Sequence, residues 1–230
     1  MSSVLVTGSS GQVGGAVVEH LERQGWSVRG FDLRAGDDLR DAVAVQRAAI
    51  GCDLIVHAGA IAHDRSGSAE DIVATNVLGT WNVLLAAERH RLNRVIYFSS
   101  AQVFGFADGE GTPDYRPVDD AHPLRAARPY GMSKRLAEDM CEAWSSRTGI
   151  PTVVLRPVMI LPDSGLELVS PDEAELGAFI HLDDVVSATV AALTAPVGSH
   201  VRLTICGPGE FDTTAARRVL GWAPTRDWER

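Results

Sequence analysis

The stretch TGSSGQVG, residues 7–14, comes directly after VLV and leads into GAVVEHLERQG. Gly8, Gly11 and Gly14 fall three residues apart. A short β-branched run stands ahead of them, and Val13, Val17, Val18 and Leu21 recur behind them at helical spacing. Strand, glycine turn and helix together bring backbone N–H groups and a helix N-terminus to a point where a pyrophosphate can meet them. Surface turns also collect glycine, so the triplet gains its meaning from the rest of the chain.

Downstream, strands and helices alternate regularly. After the first helix come WSVRGFD (26–32), the helical DAVAVQRAA (41–49) and the extended DLIVHAG (53–59). NVLGTWNVLLAAERH (76–90) reads as helix and RVIYFSS (94–100) as strand. YGMSKRLAEDMCEAWSSR (130–147) is a long helix before the strand TVVLRP (152–157), and DDVVSATVAALT (183–194) precedes the extended VRLTIC (201–206). Such alternation predicts an α/β fold with a doubly wound parallel sheet. Ligands of that fold bind beyond the carboxyl ends of the strands, where TGSSGQVG, HAGA and FSSA all lie. Residues 105–123 and 158–178, rich in proline, glycine and acidic residues, are the loops expected over the site.

Composition narrows the classes. The chain has 230 residues, 45% of them hydrophobic and 22% charged, as in ordinary globular proteins. No apolar run approaches the roughly 20 residues of a membrane span. Net charge is −9 and no basic run tracks a nucleic-acid backbone, so neither membrane nor nucleic acid is an expected partner. The seven histidines form no ligand pair, and no metal site is expected. Cys52, Cys141 and Cys206 are odd in number and widely spaced; with no basic leader ahead of VLV, they point to the cytoplasm.

Three positions carry the chemistry. Asp32, eighteen residues beyond Gly14 at the end of the second strand, suits the two hydroxyls of an adenosine ribose and repels a 2′-phosphate, although Arg34 leaves NADP open. In PYGMSK (129–134), Tyr130 and Lys134 share a helix face, and Lys134 is the only lysine in the chain. A phenol with an ordinary pKa near ~10 is a poor base at neutral pH, and a neighbouring ammonium favours the phenolate. Ser100, at the end of YFSS, can donate to a substrate carbonyl or accept from its alcohol. Each alone has a bland reading: a loop aspartate, a helix start, a turn serine.

In their order, TGSSGQVG, GFDLR, HAGA, NVLGTWNVLLAA, YFSSAQVFG, PYGMSK, VLRP, FIHLDD and FDTTAARRVLGWAP (211–224) resemble the extended short-chain dehydrogenases/reductases, the NAD-dependent epimerase/dehydratase family. The resemblance implies a Rossmann-type domain over 1–157 and 179–206, with 158–178 and 207–230 as a small, reduced substrate cap. It implies NAD as cofactor, with Gly8, Gly11, Gln12, Val13 and Gly14 around the pyrophosphate and Asp32 on the ribose. Asp38 and Leu39 would flank the adenine; Ala58, Gly59, Ala60 and Asn76 would line the cofactor; Pro157 would lie near the nicotinamide. Tyr130 becomes the acid–base residue, Lys134 tunes it and binds the nicotinamide ribose, and Ser100 orients the reacting oxygen.

Two departures from the family shape the expected activity. Where dehydratases carry acidic residues after the serine, this chain has Ala101 and Gln102, and a neutral amide cannot take the proton an elimination requires. The stretch 158–178 holds five acidic residues and no arginine or lysine, whereas a diphosphate-linked sugar calls for arginine clamps. Arg202, Arg217 and Arg218 are possible substitutes, and Arg125 and Arg128 are candidates for a single carboxylate or phosphate. The expected activity is hydride transfer between NAD and a secondary alcohol or ketone of a small sugar-like substrate, as dehydrogenase or epimerase. A sugar-nucleotide 4-epimerase and a non-catalytic dinucleotide sensor are the alternatives. Apolar residues on more than one face of helices 76–90 (Trp81, Leu84, Leu85) and 130–147 (Leu136, Met140, Trp144) point to a homodimer.

Overall fold

The computed structural model describes residues 2–106, 111–162 and 179–226. In chain order the elements are β1 (Ser3–Thr7), α1 (Gln12–Arg23), β2 (Ser27–Phe31), α2 (Ala42–Ala49), β3 (Leu54–His57), α3 (Ala69–Val73), α4 (Gly79–Arg89) and β4 (Arg94–Phe98). Beyond these lie α5 (Pro129–Thr148), β5 (Thr152–Pro157), β6 (Met159–Leu161), β7 (Phe179–His181), α6 (Leu182–Thr194), β8 (Val201–Ile205) and α7 (Thr214–Leu220).

Successive side chains of a strand point to opposite faces, so a strand apolar at every position must be covered twice. Val4, Val6, Leu54, Val56, Ile96, Phe98, Val153 and Leu155 all face one core, with Val17 and Leu21 of α1, Val185 and Leu193 of α6, and Leu220 of α7. Leu5, Ile55, Val95, Tyr97 and Val154, the intervening positions, face the other, with Val45 of α2, Val83 and Leu84 of α4, and Cys141 and Trp144 of α5. Each fully buried aliphatic side chain contributes about 1.5–3 kcal/mol. Every ladder in the six-stranded sheet is parallel, in the order β2-β1-β3-β4-β5-β8. The winding reverses between β1 and β3, and at this switch point the glycine turn and the HAGA loop stand side by side.

Three features differ from the reading of the sequence. The helix expected over 76–90 is a π-helical turn, Ala74–Leu78, running into α4. Asn76 within that turn spends its side chain on the backbone of Ile61, a contact no periodicity reveals. β6 pairs in parallel with β7, three residues each, too short to register as a pattern. The C-terminal stretch docks on α6: Trp222 Nε1 donates to Ser187 Oγ at 2.8 Å, and Thr225 N and Oγ1 both donate to Asp184 Oδ1 at 2.9 Å. Thus, within 207–226, Glu210 and Phe211 reach the cavity at the carboxyl end of the sheet, while α7 is part of the outer layer.

Candidate active site

Beyond the carboxyl ends of β1, β3, β4 and β5 lies a cavity of about 1640 Å³. Ordinary small-molecule pockets occupy ~300–1,000 Å³, so a dinucleotide and a small substrate can share it. Its floor at one end is bare backbone. Gly8 has φ +68°, and a Cβ there would lie 2.7 Å from Gly59 Cα; a Cβ on Gly14 would lie 2.1 Å from Gly8 O. Glycine alone lets the turn, the start of α1 and the loop after β3 close to this distance. Gly11 is the N-cap of α1 and no side chain caps that turn, so its leading N–H groups remain for an anion. These residues fit a pyrophosphate.

Asp32 stands beside the turn, its Oδ2 accepting from Ser10 N at 3.0 Å and its Oδ1 from Arg34 N at 2.9 Å. Both oxygens keep lone pairs for ribose hydroxyls. Arg34 reaches back over the same loop, Nη1 donating to Ser10 O at 2.8 Å. Asp38 is clamped by Arg40 (Nη2–Oδ2 2.6 Å), which holds its carboxyl below the usual carboxylate range. Leu39 is buried under the loop, against Gly59 and Gly79.

At the other end, α5 and the exit of β4 converge. Tyr130 and Lys134 lie one turn apart on α5 and both line the cavity with Ser100 and Pro157. Lys134 Nζ donates to Phe98 O at 2.7 Å and stands 5.8 Å from the centroid of the Tyr130 ring. Burial brings its ammonium down to about 8, with Glu138 opposing. The Ser100 hydroxyl accepts from Gln102 N at 3.1 Å, capping a short 3-10 turn, and its own O–H is left to aim at a bound oxygen. The start of α5 is fixed by Asp64, whose Oδ1 accepts from Tyr130 N at 2.7 Å. A phenol, an ammonium and a hydroxyl thus border one space in which a carbinol oxygen can be held and deprotonated.

Fifteen of the expected residues line this cavity: Gly8, Gly11, Gln12, Val13, Gly14, Asp32, Asp38, Leu39, Ala58, Gly59, Ala60, Ser100, Tyr130, Lys134 and Pro157. Asn76, also expected along the cofactor, is not among these lining residues. It is buried behind the wall, its Oδ1 accepting from Ile61 N at 2.8 Å and its Nδ2 donating to Ile61 O and Ser133 Oγ, each at 3.0 Å. The same holds for the substitute arginines. Arg202 binds Glu138, Asp139 and Glu142, Arg125 pairs with Asp114, and neither these nor Arg128, Arg217 and Arg218 line the cavity.

The far wall is built from contacts that sequence patterning does not show. Val118 bridges to Phe211, with Val118 N donating to Glu210 O and Asp212 N to Val118 O, each at 2.8 Å. Arg116 and Glu210 pair across it at 2.9 Å. His122, buried among Phe104, Phe106 and Tyr115, anchors the segment behind. The acidic residues of 163–178 lie outside the described residues. Among the described residues no His, Cys, Asp and Glu cluster is placed to hold a metal ion, and no helix is long and apolar enough to cross a membrane.

Comparison with known proteins places the chain in a family. The profile of the NAD dependent epimerase/dehydratase family matches residues 4–161. A uronate dehydrogenase of Pseudomonas syringae pv. tomato is 30% identical over 209 residues, covering 86% of this chain and 71% of the relative. The crystal structure of uronate dehydrogenase from Agrobacterium tumefaciens matches with a TM-score of 0.80 at 27% identity, over 98% of this chain and 85% of that one. An NAD-bound short-chain dehydrogenase/reductase superfamily protein from Agrobacterium tumefaciens, 22% identical, shares the fold with a TM-score of 0.85 over 98% of this chain and 93% of its own. The chain belongs to the NAD-dependent epimerase/dehydratase family and is an NAD-dependent enzyme of the extended short-chain dehydrogenase/reductase type.

Proposed function

We propose that the enzyme oxidises a secondary hydroxyl of a free, singly charged sugar, with a uronate as the leading candidate. The supporting observation is the state of the arginines around the cavity. Arg34 and Arg40 sit at the adenosine end, engaged by Ser10 O and Asp38. Arg116 is engaged by Glu210, and Arg65 stands on the turn after β3. Of the four arginines among the described lining residues, three are thus already engaged by protein groups, whereas a diphosphate calls for a pair of arginines. The uronate dehydrogenase relatives point the same way.

When bound, NAD supplies the hydride acceptor. Tyr130, as phenolate, takes the hydroxyl proton while Ser100 donates a hydrogen bond to the same oxygen. Lys134 favours the phenolate by its charge and holds the nicotinamide ribose. Gln102, a neutral amide two residues beyond Ser100 on the cavity wall, cannot take a proton from a neighbouring carbon, which opposes elimination.

The test supplies NAD with uronates, the matching neutral sugars and UDP- or dTDP-sugars, and tracks NADH. Uronate should give one NADH per turnover, and Tyr130→Phe should lower the rate about 10²–10⁴-fold while NAD affinity persists. Epimer formation on a nucleotide sugar bound at micromolar concentration, without NADH release, would restore the sugar-nucleotide epimerase.

We also infer a cytoplasmic homodimer. All three cysteines are buried thiols. Leu78, Trp81, Met132 and Leu136 are exposed on the packed helices of the 74–89 segment and α5.

A further inference from the structure

The end of β4 is gripped from behind. Three consecutive residues send groups in three directions: Phe98 O takes the Lys134 ammonium, Ser99 Oγ donates to Glu138 Oε1 at 2.5 Å, and Ser100 faces the cavity. Glu138, fully buried, stands one turn beyond Lys134 on α5. Its carboxylate also receives both arms of Arg156, Nε to Oε1 at 2.9 Å and Nη2 to Oε2 at 2.6 Å. Arg202 Nε of β8 lies 3.2 Å from Oε2. Arg156 directly precedes Pro157 of the cavity wall and donates through Nη1 to Asp120 O at 3.1 Å. One carboxylate therefore joins α5 to β4, β5 and β8, immediately beneath the reacting groups.

A buried ion pair is a weak device for stability, because desolvation offsets much of its attraction. As a support for a site it has a clear use, since a displacement of ~1 Å in a reacting group can cost about 10²-fold in rate. We propose that Glu138 is a positioning residue of the reaction, holding Lys134, Ser100 and Pro157 in register from beneath the cavity. It acts through these groups and not on the substrate.

The charges around Lys134 make the role measurable. Facing it are Tyr97 on β4, 5.1 Å from Nζ to the ring centroid, His57 on β3, and Tyr130, Glu138 and Cys141 on α5, with Arg156 and Arg202 behind Glu138. Burial pushes the Tyr97 phenol and Cys141 thiol up and holds His57 neutral down to about 3. Glu138 is then the carboxylate that supports the ammonium. Its loss leaves the Arg156 guanidinium without its carboxylate and removes one of the three that Arg202 meets, which disfavours a charged Lys134.

Because Lys134 is the only lysine, protein labelled with ¹³C-lysine shows one side-chain signal whose titration needs no substrate. Glu138→Gln should lower its midpoint by at least about one pH unit relative to the wild type. Glu138→Asp, which keeps the charge with a shorter reach, should fall between and decides the matter if the Gln variant does not fold. A folded variant whose Lys134 titrates as in the wild type overturns the proposal. A second arm, resting on the uronate reading, measures turnover: kcat of Glu138→Gln should fall at least about tenfold with its pH profile displaced to lower pH, and Asp should restore part of it. If wild-type protein turns over no uronate, that functional reading fails while the lysine titration still judges Glu138.

Discussion

At His57 the protonation state is set by three hydrogen bonds. Thr80 Oγ1 donates its single proton to Asn76 O at 2.5 Å, so toward His57 Nε2, at 3.0 Å, it accepts. Nε2 therefore carries the ring proton, and Nδ1 accepts from Thr7 Oγ1 at 2.6 Å, while Thr7 accepts in turn from Gly59 N. The ring is a neutral brace joining β1, β3 and α4 beneath the glycine turn. Burial depresses its pKa to about 3. Between that value and the ordinary 6.5 the unfolded chain binds a proton that the folded chain refuses, so stability is complete above ~6.5 and falls as pH drops toward 3, by at most about 1.4 kcal/mol per unit. His200, lowered to about 4 by burial, adds to the same slope. Melting temperature measured against pH should decline from pH ~6.5 to ~4, and His57→Gln should be less stable at neutral pH but decline less steeply. Parallel declines would show that His57 does not titrate this way. Nothing in the sequence around DLIVHAG marks the brace, because its partners lie 50 and 23 residues away.

Among the elements, those with a sustained period were legible and those fixed by a distant partner were not. β1, β4 and β5 announce themselves by unbroken apolar runs, and α5 by its length and by Tyr130 and Lys134 on one face. The π turn at 74–78 could not be read, since it depends on Asn76 clasping Ile61 and Ser133. Single-turn π segments recur at functional sites because they redirect one side chain without ending the helix. Here the redirected amide ties the loop after β3, which walls the cofactor end, to α5, which carries the acid–base pair. Asn76→Ala would leave the half-buried backbone N–H and C=O of Ile61 without their side-chain partner. The expected loss is about 1–3 kcal/mol in denaturant unfolding, with weakened NAD affinity as a consequence of the loosened loop. Weakened affinity with unchanged stability would make Asn76 a direct ligand, as the family resemblance implied.

For the whole molecule, strand–helix alternation gave the class of architecture, while the strand order and the pairing of Val118 with Phe211 come from contacts far apart in the chain. The same distinction bears on assembly. Of the apolar residues on the two helices that suggested a partner, Leu84 and Trp144 belong to the core and Leu85 and Met140 are half-buried. Trp81 remains 37% exposed and Leu136 42%, with Leu78 and Met132 beside them in sequence on the same helical segments. Large apolar side chains held on rigid helices favour association when they are contiguous, and a stable dimer buries about 1,200–2,000 Å² in total. Each such side chain withdrawn from water adds ~1.5–3 kcal/mol, so a carboxylate placed among them should oppose assembly strongly. Light scattering at micromolar concentration should therefore report twice the 24.6 kDa of one chain. Trp81→Glu and Leu136→Glu should each yield a monomer that still binds NAD, because neither residue lines the cavity. A monomeric wild type would refute the homodimer, and a dimer indifferent to both substitutions would move the interface to another face.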